Sequence, residues 1–312
     1  MTTIEESEFV VGTAVAQGRR PRRRPDFGGS WWRHVVGLLA VFFALFPVAY
    51  VVSAAFNPIQ SVGGSSLIPD KVTLDNFRTL FDTTSDNPDV PTAHYARWYV
   101  NSLIVPGAAA LFSVLLGAFA AYAFSRFRFK GRRFGMLSLL LIQMFPQFLA
   151  LVAIYLILLH TGDIFPAVGL NTLTGLVLVY LGGAMGINTW LMKGFFDTIP
   201  SELDESARVD GASAAQIFWG VILPLAAPVL AVVALISFVF TLNEFVIASA
   251  VLQTTDKFTL PVGLRGYIDK QYQENWGPFA AGVILAAVPV VVIFLALQKF
   301  IVGGLTQGSV KG

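Results

Sequence analysis

Apolar runs of about 20 uncharged residues recur along the chain between short polar segments, and a helix of that length covers a hydrocarbon core about 30 Å thick. Six such runs stand out: 35–56, 102–124, 134–159, 173–192, 226–251 and 278–298. Every Lys and Arg lies outside them, and Glu244 is the one carboxylate within them. The pattern predicts an all-α integral membrane protein with six transmembrane helices. It also divides the chain into a basic N-terminal tail (1–34), a first span (35–56), a long loop (57–101), a core of five spans (102–300) containing a loop at 193–225, and a C-terminal tail (301–312).

Charge orients this arrangement. Of the 21 Lys and Arg residues, fifteen fall in alternate segments that include both termini and six in the other set, so the positive-inside rule puts both termini in the cytoplasm. Segment 57–101 is then extracytoplasmic. The six Trp residues all fall near span ends, where an interfacial aromatic belt belongs. Arg19, Arg20, Arg22, Arg23 and Arg24 resemble the charged region of a signal peptide. The apolar run after them is longer than the roughly 7–15 residues of a cleaved signal, so it reads as a retained anchor, and the basic tail as a segment near anionic lipid.

Composition closes off other classes. Only 13% of the 312 residues are charged and 55% are hydrophobic, which excludes a water-soluble globular domain and a disordered chain alike. There is no cysteine, hence no disulfide, thiolate metal site or thiol nucleophile. A net charge of +2 gives no reason to expect a nucleic-acid partner. His34, His94 and His160 are scattered, and neither a G-x-x-x-x-G-K-[ST] phosphate loop nor a G-x-S-x-G elbow occurs. No catalytic, metal or cofactor site is expected in this chain.

The polar residues inside the runs are the candidates for a passage. Glu244 follows Asn243 about 27 Å along the fifth run, counted from Ala226 at 1.5 Å per residue. It either lines a passage or subunit contact, or is solvated at the interface. Gln143 and Gln147 flank Pro146 on the third run, and Asn188 lies on the fourth. Such amides either bind sugar hydroxyls or join helices. Ser113, Gly117 and Ala121, and likewise Gly182 and Gly186, stand four apart, the spacing of close helix packing.

The loop 193–225 carries the most specific pattern. Ser201 is placed to cap a short helix of about two turns whose start is acidic (Glu202, Asp204, Glu205), and Gly211 to end it in a left-handed conformation. Glu205-Ser206-Ala207, then Asp210-Gly211, then Ile222-Leu223-Pro224 resembles the E-A-A, G, I-x-L-P loop of the integral-membrane permeases of binding-protein-dependent ABC importers. Ser206 replaces the usual Ala, and Ile222 directly abuts Leu223. The resemblance extends over nearly all of the chain after Gly37 and is nearest to the MalG-type maltose/maltodextrin permeases. Residues 67–75, 121–126, 143–146, 169–172 and the ending 304–312 carry it.

That resemblance implies a type I, MalG-like architecture and a set of roles. Glu205, Ser206, Ala207, Asp210, Gly211, Leu223 and Pro224 would couple to a separate ATPase. Thr306, Gln307, Gly308, Ser309, Val310, Lys311 and Gly312 would form a tail reaching that ATPase. Asp269, Lys270, Gln271, Tyr272, Gln273 and Glu274 would form a loop tip entering an extracytoplasmic sugar-binding protein. From the residues alone, loop 253–277 could equally pack over the outer ends of its own helices. The implied partners are a second, MalF-like permease, an ATPase homodimer holding ATP and Mg, the binding protein and the lipid bilayer of a prokaryotic inner membrane. The implied cargo is maltose or maltodextrin, with trehalose or another oligosaccharide as the alternative on the same scaffold. An ion-coupled carrier would usually carry more ionisable groups at mid-membrane, and an enzyme would need a titratable cluster.

Overall fold

A computed structural model describes residues 31–58, 68–69, 71–82, 94–269 and 275–308, the side chains of 301–308 excepted. The chain divides into two units, residues 1–48 and 49–312. Among the described residues there are helices and turns but no strand. In chain order the helices are α1 (Trp31–Phe56), α2 (Asp75–Phe81), α3 (Tyr95–Arg126), α4 (Arg132–Gln143), α5 (Leu151–Ile164), α6 (Leu173–Phe196), α7 (Ser201–Val209), α8 (Ala214–Ile217), α9 (Leu223–Leu225), α10 (Ala227–Leu242), α11 (Val246–Val251), α12 (Leu260–Arg265) and α13 (Trp276–Gly308). The described part of the first unit is the beginning of α1.

Among the described residues five helical segments are long and apolar enough to cross a membrane: Trp31–Phe56, Tyr95–Arg126, Gln147–Ile164, Leu173–Phe196 and Trp276–Phe300. The segments Ala214–Leu225 and Ala227–Leu242, bent by 77° at Ala226, make a sixth if counted as one span. The all-helical, multi-span class is therefore as expected, while four of the spans differ from their expected form.

The third run, 134–159, is not one helix. It breaks after Gln143, where Pro146 takes an extended conformation (ψ 116°) and a turn of 3-10 helix, Gln147–Ala150, starts the next segment. Proline removes a backbone donor and disfavours a helical residue before it. The crossing segment is displaced to Gln147–Ile164. The fifth run, 226–251, also breaks, at Asn243-Glu244-Phe245, leaving α10 with 16 residues or about 24 Å, short of a full crossing. The second span begins earlier than expected, because α3 starts at Tyr95, inside the segment read as loop 57–101. The last helix runs past the expected end of its span to Gly308, so residues 301–308 continue α13.

Lipid tails are as apolar as Leu, so close approach and hydrogen bonding are what join helices in a bilayer. The Ser113, Gly117 and Ala121 face of α3 is buried. A Cβ at Gly117 would stand 2.5 Å from Met192 Cε, 3.4 Å from Asn188 Cβ and 3.5 Å from the Thr189 nitrogen, so α3 and α6 pack closely there and a side chain would have to displace the Met192 tip. On α6, the close approach is at Gly183 and Gly186, against Gln147 and Gln143, whereas the space beside Gly182 is open. The register read from the sequence was one residue off for the first of these.

Beyond the spans, Trp98, Tyr95, Leu80, Leu260, Leu264 and Tyr267 pack with Ala280 and Ala281 of α13. Thus α12 and the turn after it lie over the ends of α3 and α13. Trp98 donates Nε1–H to the Thr255 carbonyl (2.6 Å), Asn101 donates to the carbonyls of Asp256 and Phe258, and Ser102 Oγ accepts the Leu260 N–H (2.7 Å). These bonds hold the first half of segment 253–277 as a cap.

Candidate functional site

Helix α7 begins differently from the expected cap. Pro200 precedes it in an extended conformation (φ −55°, ψ 132°), and Ser201 is its first helical residue, with no side-chain bond at the N-terminus. Pro200, with its φ fixed by the ring, takes the N-cap position, and Ser201 is one residue too far along to serve as the cap. Glu202 and Asp204 sit in the first turn, beside the positive end of the helix dipole. The far end is as the pattern implied. Gly211 has φ +86°, the Gly211 N–H bonds the Arg208 carbonyl (3.0 Å), and the Ala212 N–H bonds the Ala207 carbonyl (2.9 Å). This pair of bonds is a Schellman stop, which needs a left-handed residue at Gly211.

The helix shows two faces. Asp204 is buried and Ala207 half-buried against the core formed by Ala118, Tyr122, Met192, Phe196, Ile217 and Ile222. Glu202, Leu203, Glu205, Ser206, Arg208, Val209, Asp210 and Gly211 are exposed, Val209 at 88%. An apolar pair, Leu203 and Val209, thus stands outward on a short, acidic helix with a fixed end.

The Asp197 carboxylate fixes the start of this loop. It accepts bonds from Ser125 Oγ (2.7 Å) and from Lys193 Nζ. Burial pushes the Asp197 carboxyl up, but those two bonds and the charges of Lys193 and Arg132 outweigh it and hold it below its usual range. Past the loop, Ser213 and Gln216 form a capping box on α8. The helix then widens into a π turn over Phe218–Ile222, with the Leu223 N–H bonded to the Phe218 carbonyl. The widened turn precedes Pro224, which has no N–H to donate and whose ring would collide with a tight preceding turn. Ile222 is fully buried, Leu223 half-buried, Pro224 exposed, and the 77° elbow follows at once.

Within the spans, Asn188 is 4% exposed and donates Nδ2–H to Ser113 Oγ (3.2 Å) and Ser237 Oγ (2.9 Å). It joins α6 to α3 and α10. Gln143 donates to the Gly183 carbonyl. Glu244 sits at the break between α10 and α11, half-buried. Its carboxylate accepts the N–H groups of Ile247 (2.9 Å) and Ala248 (3.0 Å), and the Tyr180 hydroxyl (2.7 Å). It therefore caps α11 from inside the protein. Asn243 is exposed and bonds the Val239 carbonyl, and with Glu244, Leu235, Ile236, Val239 and Phe240 it lines an open groove along α10.

Of the residues assigned by resemblance to the outer tip, Asp269 closes a turn through its N–H on the Arg265 carbonyl, and Lys270, Gln271, Tyr272, Gln273 and Glu274 lie outside the described residues. The Asn275 N–H bonds the Tyr267 carbonyl (2.8 Å), which closes the base of that tip. Burial raises the Tyr267 phenol above its usual range. Thr306, Gln307 and Gly308 form the last turn of α13, and Ser309, Val310, Lys311 and Gly312 lie outside the described residues.

Sequence reading missed the partners that hold these positions. Arg126 pairs with Asp204 across 78 positions, with Nε 2.5 Å from Oδ2. Tyr180 serves Glu244, and Ser113 and Ser237 serve Asn188. Only the inward i, i+3 stripe of Asp204 and Ala207 was available as a signal, and it names a face, not a partner.

A family model described as the binding-protein-dependent transport system inner membrane component matches residues 113–306, from mid-α3 to the end of α13. The chain is similar to the galactooligosaccharides transport system permease protein GanQ of Bacillus subtilis (42% identical over 278 residues, 88% of this chain and 94% of that protein). It is similar also to the maltose/maltodextrin permease MalG of Vibrio parahaemolyticus (38% over 305 residues, 96% of this chain and 100% of that protein) and of Escherichia coli K12 (38% over 283 residues, 89% and 95%). Among solved structures, a chain of a bacterial ABC transporter involved in import of the polysaccharide alginate shares the fold, with a TM-score of 0.70 at 22% identity over 86% of this chain and 95% of that one.

Proposed function

Because the chain belongs to the family of binding-protein-dependent transport system inner membrane components, we propose that it passes maltose or maltodextrin across the inner membrane, driven by ATP hydrolysis in a separate subunit. It is a multi-pass membrane permease of an ABC sugar importer, working with a binding protein and an ATPase. In this reading the functional unit also contains a second, MalF-like permease, and the ATPase is a homodimer that holds the ATP and Mg. This chain has no catalytic role. In the same reading both termini face the cytoplasm, which the excess of Lys and Arg in the segments that include them supports.

The observation that carries the reading is the two-faced helix α7. Its inner face is locked to the core through Asp204 and Ala207, while Leu203, Glu205, Val209 and Asp210 stand free on a helix stopped by Gly211. A short, rigid, outward-facing helix is the right object to seat in a cleft of a partner ATPase. Residues 306–312 reach the same partner, and the tip 269–274 reaches into the opened binding protein. A broken helix such as α10–α11, with polar groups at the break, is how membrane carriers line a site for a polar cargo.

The 42% identical relative GanQ favours a second cargo, because it is by name a galactooligosaccharide permease. Trehalose or another oligosaccharide is accommodated by the same scaffold. The test is uptake into proteoliposomes containing the four-subunit complex, with ATP and Mg inside, binding protein outside, and labelled maltose, maltotriose, trehalose and galactobiose in parallel. Uptake of maltose that needs both ATP and binding protein is expected. Uptake driven by a proton or sodium gradient without ATP would overturn the mechanism, and preference for galactobiose would reassign the cargo.

A further inference from the structure

Three side chains near the end of α3 reach across to the segment 197–214. Ser125 Oγ donates to Asp197, Arg126 Nη2 donates to the Ile199 carbonyl (2.9 Å), and the Tyr122 hydroxyl donates to the Ala214 carbonyl (3.3 Å). Their partners bracket α7 on both sides. Arg126 adds a contact inside the bracket, its Nε standing 2.5 Å from Asp204 Oδ2, with the two side chains 9% and 4% exposed. It thereby spans the Pro200 corner, holding the residue before it and a residue on the helix after it.

A buried ion pair is a poor device for stability alone, since apolar residues of the same volume serve as well or better, but it fixes one geometry. Here it is demanding. Asp204 Oδ1 is buried with no hydrogen-bond partner among the described residues, so the guanidinium is the counter-charge in contact with that carboxylate. Farther along α3, Ser113 meets Asn188 and, through it, Ser237, so the helix gripped at the α7 end is also joined to α6 and α10 in the middle of the spans. Arg126 Nε likewise has no hydrogen-bond partner among the described residues, so the link from α7 to α3 is the ion pair itself, and from there contacts lead on to α6 and α10.

We propose that Arg126 is a positioning residue for transport: it makes α7 and the end of α3 one rigid body, so that motion imposed on α7 by the ATPase is delivered to the spans. The inference rests on the proposed function, and its test separates the two. In the reconstituted complex, R126Q and D204N assemble with the ATPase and hydrolyse ATP at rates within about twofold of the parent, while sugar moved per ATP falls about tenfold, inside the usual range of coupling free energies. R126K, which keeps the charge but loses the two-sided grip, gives an intermediate ratio, and the exchanged pair R126D/D204R recovers part of it. Amide hydrogen exchange over 201–209 rises in R126Q whatever the cargo turns out to be. Loss of uptake strictly in proportion to loss of assembled complex, or an unchanged ratio with unchanged exchange, would overturn the clamp. A parent complex that moves no sugar with ATP and binding protein would overturn the proposed function, and the exchange result would still decide whether the clamp exists.

Discussion

Tyr180 on α6 donates its hydroxyl to Glu244 Oε2 at 2.7 Å, so the carboxylate at the break between α10 and α11 is held from a neighbouring helix. The same carboxylate receives two backbone N–H groups of α11. A lone acid in an apolar run is thus accommodated by three donors, which removes most of the desolvation cost that an unpaired carboxylate would carry.

Tyr180→Phe removes one donor to that carboxylate and leaves the packing intact. A hydrogen bond to a charged group is worth about 1.5–3 kcal/mol, so the variant is expected to melt at lower temperature as purified complex in detergent. Glu244→Ala, which also strips the cap from α11, is expected to lose more. Equal melting temperatures for Tyr180→Phe and the parent would show that the bond contributes nothing.

Gly211→Val forces a β-branched residue to φ +86°. Left-handed backbone costs an L-residue about 1–2 kcal/mol, and more when the side chain is branched. The Schellman stop opens and the end of α7 is misplaced. Insertion into the membrane and ATP hydrolysis are expected to persist while uptake is lost, and normal uptake would show that the stop is not needed.

The natural absence of cysteine allows topology to be read directly. Single cysteines at Thr255 and Gly131 are expected to differ: the first reacts with an impermeant thiol reagent added outside intact cells, the second only after permeabilisation. The reverse pattern overturns the orientation.

Replacing residues 269–274 by a Gly/Ser linker is expected to abolish uptake that depends on the binding protein while leaving an assembled complex with basal ATPase activity. The neighbouring residues Leu260, Leu264 and Tyr267 keep the cap in place. Failure to assemble would instead make the tip part of that cap.

The sequence was most informative where chemistry is local. Among the described residues each segment long and apolar enough to cross a membrane overlaps one of the apolar runs, and the Gly211 stop was legible because left-handed backbone has few tenants. The breaks were not legible from hydropathy, since both interrupted runs are apolar on either side. Proline alone does not mark them either: Pro47, Pro106 and Pro289 lie inside continuous helices, and Pro146 does not. The distance of about 27 Å reckoned for Glu244 assumes a single straight helix from Ala226, whereas the helix ends at Leu242 and the chain turns at Asn243. The pairs Arg126–Asp204 and Tyr180–Glu244 join residues far apart in sequence, and no periodicity within one helix encodes its partner on another.

The elbow at Ala226 gives α8 to α10 the form of a bell crank. Its short arm, Ala214–Leu225, leaves the α7 region, and its long arm, α10, ends at the break beside Asn243. Because the axis turns through 77° between the arms, a rotation about the elbow moves the two arms in different directions. With an arm of about 24 Å, a swing of about 10° carries the Asn243 end sideways by about 4 Å, close to the width of a hydroxyl-bearing carbon chain. A rotation about the elbow would therefore displace most the Asn243 end, where α10 carries its open groove.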